Sequence, residues 1–422
     1  MTLDTTRADR LGAYGSNRGL TPNLDELAAQ SAVFELAIAQ SGVTPVSHAS
    51  IFTGLNPYGH GLRVLHGSRY LLADDAVTVA ELLSDAGYAT AGVISAFPAG
   101  SRFGLAQGFG VFDEEFLEPP GPDTVQAGGT IDTGRSQRRA DATTDRALAW
   151  LRQAREPYFL WVHYFDPHDT EVLPPEDFAP PQPIEGVGSS DPFEALRAVY
   201  DREVAYMDAQ VGRLLAALDK NGTTILVTAD HGEGLGEHGW WGHGILYQEQ
   251  IHIPLLVRGP SVVARSIETM VRQVDLAPTV LDLTGFEGER PPMDGRSLLP
   301  LLEGGPTPAE SSAPWAYADL MNKRVFPGVG DDGNVNDDFL LVVVDPPWKY
   351  IHHLEKPRES ELYHLGDDPD EANNLLATRL DLGTSYSRQL QSLDPLPKGP
   401  TPESQMTEEE LDRLRALGYV ED

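Results

Sequence analysis

Four places along the chain concentrate side chains that can hold a cation or attack an ester: Asp4; Thr44 with Ser47 and His48; His163 with Asp166 and His168; and Asp230 with His231, followed by His243. Carboxylates and imidazoles together suit a divalent ion such as Zn²⁺, Mn²⁺, Mg²⁺ or Ca²⁺, and the absence of cysteine leaves no thiolate to bias the choice. A cation beside Thr44 would lower the pKa of its hydroxyl and hold it as an alkoxide nucleophile. Thr44-Pro45 also reads as a helix start. A helix from Thr44 to about Gly54 would aim its N-terminal dipole at the same spot, which favours an anionic ester. Each feature has a plain structural reading: Thr44 as a cap, Asp230-His231-Gly232 as a turn, His163 as a hydrogen-bonded core histidine. One shared site accounts for all four places more simply than four independent coincidences.

The elements that must position these groups follow from patterning. Apolar runs at 90–94, 158–163, 223–229 and 253–257 alternate with amphipathic stretches at 21–34, 77–86, 139–152 and 194–218. This predicts an α/β fold, a mostly parallel doubly wound sheet flanked by helices. In such sheets ligands lie beyond the carboxyl ends of the strands, where the four places fall. Residues 303–312 read as a linker and 331–338 as a Gly/Asp/Asn-rich loop. Strands at 339–344 and 348–352 and a closing helix at 407–417 then form a small C-terminal α+β subdomain. The expected division is a catalytic domain over 1–310 and a subdomain over 311–422. Met1-Thr2-Leu3-Asp4 reads as the end of a buried strand whose beginning is missing; a start placed later than the true one would hide both strand residues and a signal peptide, which leaves the compartment open.

Composition narrows the function classes. The 422 residues, 41% hydrophobic, suffice for a large core. Without cysteine there is no disulfide framework, no thiol nucleophile, and no catalytic group made by modifying a cysteine. The 64 acidic against 31 basic residues give a net charge of -33, which argues against nucleic-acid or acidic-membrane partners. No apolar run reaches the roughly 18 residues of a membrane span, and no basic-then-apolar leader opens the chain; as written it reads as cytoplasmic. The expected partner is a small anionic ester, and the oligomeric state is left open.

Asp4-Thr-Thr-Arg-Ala-Asp-Arg-Leu-Gly-Ala-Tyr-Gly15, Thr21-Pro-Asn-Leu-Asp25 and Ser47-His-Ala-Ser-Ile-Phe-Thr-Gly54 together resemble the opening of the sulfatase family in the alkaline phosphatase superfamily. His163-Tyr-Phe-Asp-Pro-His168, Ala229-Asp-His-Gly-Glu233, Gly242-His243 with Tyr247, Asp275-Leu-Ala-Pro-Thr279, Asp294-Gly-Arg-Ser-Leu298 and Glu361-Leu-Tyr363 with Asp368-Pro369 continue the resemblance in order, over nearly the whole chain. It implies that Asp4, Asp230 and His231 bind a metal and that Thr44 takes the nucleophile position. His168 and His243 would contact the transferred group or the leaving oxygen, or bind a second metal. Family sulfatases carry a cysteine or serine where Thr44 stands and convert it to formylglycine. Four residues later they have an arginine in place of His48. Thr5 replaces the second aspartate of their pair, Ile94-Ser95 replaces a glycine-lysine, and His243 replaces a further lysine.

These departures soften the site toward zinc or manganese, with calcium as the family's usual ion, and one or two ions per chain are expected. A second site is expected from His163, His168 and His243, beside Asp4, Thr44, Asp230 and His231, so that two cations clamp the attacking and leaving oxygens. The expected reaction is hydrolysis of a phosphate monoester, phosphodiester or phosphonate ester by a Thr44 alkoxide. His168 or His243 would assist the leaving group, and His48 would stabilise oxyanion charge. The rivals are a sulfuric ester hydrolase working without formylglycine and an inactive binding protein on the same fold.

Overall fold

The computed structural model describes residues 1–63, 71–116, 136–168, 172–218, 222–305, 315–322 and 338–393, together with Thr407 and Glu410. Eight short strands build its central sheet: β1 (Thr2–Leu3), β2 (Ala32–Phe34), β3 (Ala89–Ile94), β4 (Val111–Asp113), β5 (Tyr158–Tyr164), β6 (Ile225–Thr228), β7 (Leu255–Arg258) and β8 (Arg265–Ile267). Their order is β8-β2-β7-β6-β1-β5-β3-β4. From β6 through β4 neighbouring strands are parallel; β7 runs antiparallel to both β6 and β2, and β8 pairs parallel with β2. The mostly parallel sheet is thus as the alternating pattern predicts. Strands covered on both faces need apolar residues throughout, so β5 reads Tyr-Phe-Leu-Trp-Val-His-Tyr with only His163 standing out.

Helices cover both faces. One face packs α2 (Thr44–Thr53), α3 (Val79–Asp85) and α7 (Leu276–Leu283) through Val46, Phe52, Leu83 and Leu276. The other packs α1 (Pro22–Ala28), α4 (Ala140–Leu151) and α5 (Pro192–Leu218) through Leu24, Ala147, Val211 and Leu214. A further single-turn helix, α6 (Gln248–Ile251), precedes β7.

Two expected elements divide. The stretch 21–34 is a helix only to Ala28; Ser31 turns its hydroxyl back onto the Leu27 carbonyl (2.7 Å), and Ala32-Val33-Phe34 alternates buried, half-buried, buried as β2. The run 253–257 is interrupted at Pro254, which has no N–H to give. Ile253 pairs with Ala37 in a small separate sheet, and Leu255 begins β7.

Strands β9 (Ala316–Asn322), β10 (Asp338–Asp345), β11 (Trp348–His353) and β12 (Glu361–His364) form an antiparallel meander. Its alternation points Leu340, Val342 and Ile351 into the main core and Leu341, Val343 and Tyr350 toward α8 (Leu380–Ser392). The division at 310/311, residues 331–337 and, but for Thr407 and Glu410, the closing helix at 407–417 lie outside the described residues. A cavity of about 690 Å³ lies between the beginnings of β5 and β6, lined by Met1, Tyr158, Phe159, Ile225 and Leu226 among others. It is at the end of the sheet away from the carboxyl ends of the parallel strands.

Candidate active site

The carboxyl ends of β1, β5 and β6 and the first turn of α2 meet at one point. Asp4 directly follows β1, Asp230-His231 follows β6, and Thr44 is the first residue of α2. The Thr44 hydroxyl donates to Asp4 Oδ2 at 3.2 Å and lies 3.3 Å from His231 Nε2, which is 3.5 Å from Asp230 Oδ2. All four side chains are fully buried. Asp4 Oδ1 and Asp230 Oδ2 are buried and accept no hydrogen bond. Buried acceptors without donors are costly, and burial followed by the nearby Asp230 pushes the Asp4 carboxyl well above the usual range. Two orphaned carboxylate oxygens beside an imidazole nitrogen form a set that a divalent cation would satisfy; Asp4, Asp230 and His231 offer ligand atoms within 4.8 Å of one another.

Fixed partners assign the ring tautomers. His231 Nδ1–H donates to the Gly232 carbonyl (3.0 Å), which leaves Nε2 with its lone pair toward Thr44 and Asp230, as a metal ligand requires. His163 is arranged the other way round. Ser95 N–H approaches its Nδ1 (3.4 Å), so Nε2–H donates to Asp4 Oδ2 at 3.0 Å. His48 Nδ1–H donates to the Thr44 carbonyl (2.8 Å), and its Nε2 accepts from the Thr2 hydroxyl (3.0 Å), which itself accepts from Trp161. Burial lowers the pKa of His48 and lowers that of His163 well below the ordinary value, so both rings are neutral.

The remaining imidazoles pair with each other. His168 Nε2 and His243 Nε2 are 2.9 Å apart, and His243 Nδ1–H donates to the Gly42 carbonyl (2.7 Å). His243 lies against His231 with ring centroids 4.5 Å apart, and His168 stacks on Phe165. Among these site groups only His168 is half-buried rather than buried. His163, His168 and His243 form no group of three with ligand atoms within 4.8 Å among the described residues. The other polar residues of the four places are structural in their contacts: Ser47 donates to the Ser41 carbonyl (2.9 Å), and Asp166 accepts from the Ala140 N–H that opens α4 (2.9 Å).

Several residues that shape the site carry no spacing signal in the sequence. Thr5 sits at φ +48°, a strained position for a β-branched residue, and this aims its N–H at Asp230 Oδ1 (3.2 Å). Arg7 ties the loop after β1 to the loop after His231, bonding Asp9 (2.7 Å), Glu237 (2.9 Å) and the Glu233 carbonyl (3.1 Å). Gln273 donates to the Ala229 carbonyl (3.0 Å) and accepts from Gln40 N–H (3.1 Å), while Gln40 accepts from Val274 N–H (3.1 Å). Thr5 and Arg7 lie within the motif that begins at Asp4, whereas Gln40 and Gln273 stand in none of the motifs.

Comparison with known proteins gives the family and the fold. Residues 1–286 match the Sulfatase family, and residues 236–392 match the family described as N-sulphoglucosamine sulphohydrolase, C-terminal. The chain is 26% identical to N-acetylglucosamine-6-O-sulfatase of Bacteroides thetaiotaomicron over 89% of its own length and 81% of that enzyme. It is 27% identical to human iduronate 2-sulfatase over 59% of its own length, spanning only 57% of that relative. In fold it is similar to the phosphonate monoester hydrolase of Agrobacterium radiobacter (TM-score 0.70, 22% identity, 97% of each chain). A 2-O GAG sulfatase is similar to the same degree (TM-score 0.72, 20% identity, 93% of this chain and 90% of that one). No helix among the described residues is long and apolar enough to cross a membrane. With a matched family domain extending over most of its length, and acidic and imidazole groups that could hold a cation gathered at the strand ends, the chain belongs to the sulfatase family, the ester hydrolases of the alkaline phosphatase superfamily.

Proposed function

We propose that the protein hydrolyses a phosphate monoester, phosphodiester or phosphonate ester, with the Thr44 hydroxyl as nucleophile. The observation that carries this reading is the placement of Thr44 Oγ1, 3.2 Å from Asp4 and 3.3 Å from His231, at the amino end of α2 and beside two orphaned carboxylate oxygens. Asp4, Asp230, His231 and Thr44 would hold one divalent cation; one nitrogen among oxygens favours Zn²⁺ or Mn²⁺ over Ca²⁺. When bound, the ion lowers the hydroxyl pKa and neutralises charge on the ester oxygens.

The chain's own groups then act in order. Thr44 Oγ1 passes its proton to Asp4 Oδ2 as it forms a bond to phosphorus and the bond to the alcohol oxygen breaks, and the His168–His243 pair, entering the cycle with one ring protonated on both nitrogens, gives that oxygen a proton from the half-buried edge of the site. Water next attacks the phosphothreonine, its proton passes to the pair, and Thr44 Oγ1 departs and takes its proton back from Asp4. His163 holds Asp4 through its Nε2–H, and His48, with both ring nitrogens engaged, steadies the Thr44 carbonyl rather than reaching the ester. Phosphonate monoester hydrolases among proteins of the same fold support the substrate class. The second reading is sulfate-ester hydrolysis by the unmodified threonine, favoured by the names of the sulfatase relatives.

Turnover of p-nitrophenyl phosphate, its bis-ester and p-nitrophenyl sulfate by Zn²⁺- or Mn²⁺-loaded protein separates them. We expect phosphate-ester turnover, reduced by at least about 10³-fold in Thr44→Ala. Turnover of the sulfate alone would establish the second reading, and full activity of Thr44→Ala would remove threonine from the chemistry.

A further inference from the structure

Gln250, fully buried in α6, spends every polar group on the two loops that carry His231 and His243. Its carbonyl accepts from the N–H of Gly232, the residue after His231 (2.8 Å). Its side-chain oxygen accepts from both Gly244 and Ile245 N–H (2.9 Å each), and its amide donates to the Gly242 carbonyl (3.2 Å), so the side chain brackets His243 on both sides. Its own N–H is taken by the Tyr247 carbonyl (2.9 Å). The approach is close enough to require glycine at 232, where a Cβ would stand 2.1 Å from the Glu249 carbonyl oxygen. His243 itself is held from the far side by the Gly42 carbonyl. A ring donating from one nitrogen to a fixed carbonyl has its other nitrogen direction set by the backbone around it.

We infer that Gln250 is a positioning residue: by bracketing residues 242–245 it directs His243 Nε2 at His168 and keeps that pair in register with His231 and Thr44. This rests on the proposed role of the His168–His243 pair in protonating the leaving oxygen. Gln250 touches neither ester nor metal, and its effect is transmitted through His243.

The test compares Gln250→Met, which keeps the length but removes both contacts, with Gln250→Glu, which keeps the acceptor for Gly244 and Ile245. Each metal-loaded variant is assayed on a p-nitrophenyl ester, whose leaving group needs little protonation, and on the corresponding phenyl ester, which needs it. Gln250→Met is expected to lose about 100-fold in kcat on the phenyl ester and only a few-fold on the p-nitrophenyl ester, with KM unchanged. Gln250→Glu should recover most of the loss. Equal losses on both esters, or none, would overturn the assignment. The same leaving-group comparison on sulfates serves if sulfate proves to be the substrate, so failure of the phosphate reading is distinguishable. A second readout does not depend on turnover. In histidine-labelled protein the His243 Nδ1–H resonance, assigned with His243→Gln, should be protected in wild type and in Gln250→Glu but exchange away in Gln250→Met while the His163 resonance stays. Retention of the His243 signal in Gln250→Met would show that Gln250 does not hold the ring.

Discussion

Asp4 and Asp230 oppose one another in a site closed to water, and in chelator-treated protein that opposition is a liability. Burial and Asp230 both raise the Asp4 carboxyl. Asp230→Asn keeps the oxygen that accepts from Thr5 and His231 N–H and turns an NH₂ toward Asp4. The substitution should raise the thermal midpoint of the metal-free protein by about 2 °C, while abolishing the gain of roughly 4 kcal/mol that a metal at a thousand times its Kd gives wild type. Melting curves with chelator and with Mn²⁺ decide it; a lower metal-free midpoint would mean that the two carboxylates are not in conflict. At this scale the candidate residues were legible as types, because Asp, His and Thr at strand ends are few and chemically distinct. Their roles were not. His163, expected beside His168 and His243, instead lies 3.0 Å from Asp4 through Nε2 and offers a ligand atom within 4.8 Å of those of His48 and Asp230.

Helix α1 begins with Thr21-Pro22, a start that the sequence shows, yet no side-chain bond from Thr21 caps it. Its leading N–H groups at Asn23 (3.1 Å) and Leu24 (2.9 Å) donate instead to Asp208, on α5. Arg213 binds Asp145, and Asp208 is buried. Burial pushes the Asp208 carboxyl up to about 6 from 3.8. A carboxyl whose folded pKa is raised makes the native state bind the extra proton, so its contribution to stability falls as pH rises from about 4 to about 6 and is flat above. Asp208→Asn removes this dependence. Wild type should therefore gain about 2 to 3 kcal/mol relative to the variant between pH 7 and pH 4, at about 1.4 kcal/mol per pKa unit, read from urea midpoints. Parallel pH curves for the two proteins would contradict the raised pKa. Helices α4 and α5 were legible nearly to their ends, since long amphipathic patterns survive any context. The β2 and β7 boundaries were not, since three- and four-residue strands depend on a neighbour's edge.

The C-terminal meander meets the start of α6 through a fully buried ion pair. Lys349 on β11 lies 2.7 Å from Glu371, which in turn accepts from the N–H of Gln248 at the start of α6 (2.6 Å). Burial lowers the Lys349 pKa and raises that of Glu371, each opposed by the other charge. Lys349→Met should destabilise the protein by about 3 to 5 kcal/mol, because Glu371 is then buried uncompensated, and adding Glu371→Gln should restore much of that. A double-mutant cycle in urea checks this; an additive result would show the charges are not coupled. Because α6 also carries Gln250, the same bridge sets the ground on which His243 stands.

The sequence by itself determined the kinds of chemistry open to this protein and the order of its principal elements. Lack of cysteine, acid excess, apolar periodicity and the ordered motifs are properties of the chain that no folding can change. Tertiary structure alone decided which nitrogen of each imidazole faces the candidate cation site, that His168 meets His243, and that Gln250 brackets the backbone on both sides of His243. Those contacts join residues as far apart as Gly42 and His243, separated by 201 positions. A hydrogen bond between such partners depends on where the sheet brings them, and it leaves no period in the sequence around either one.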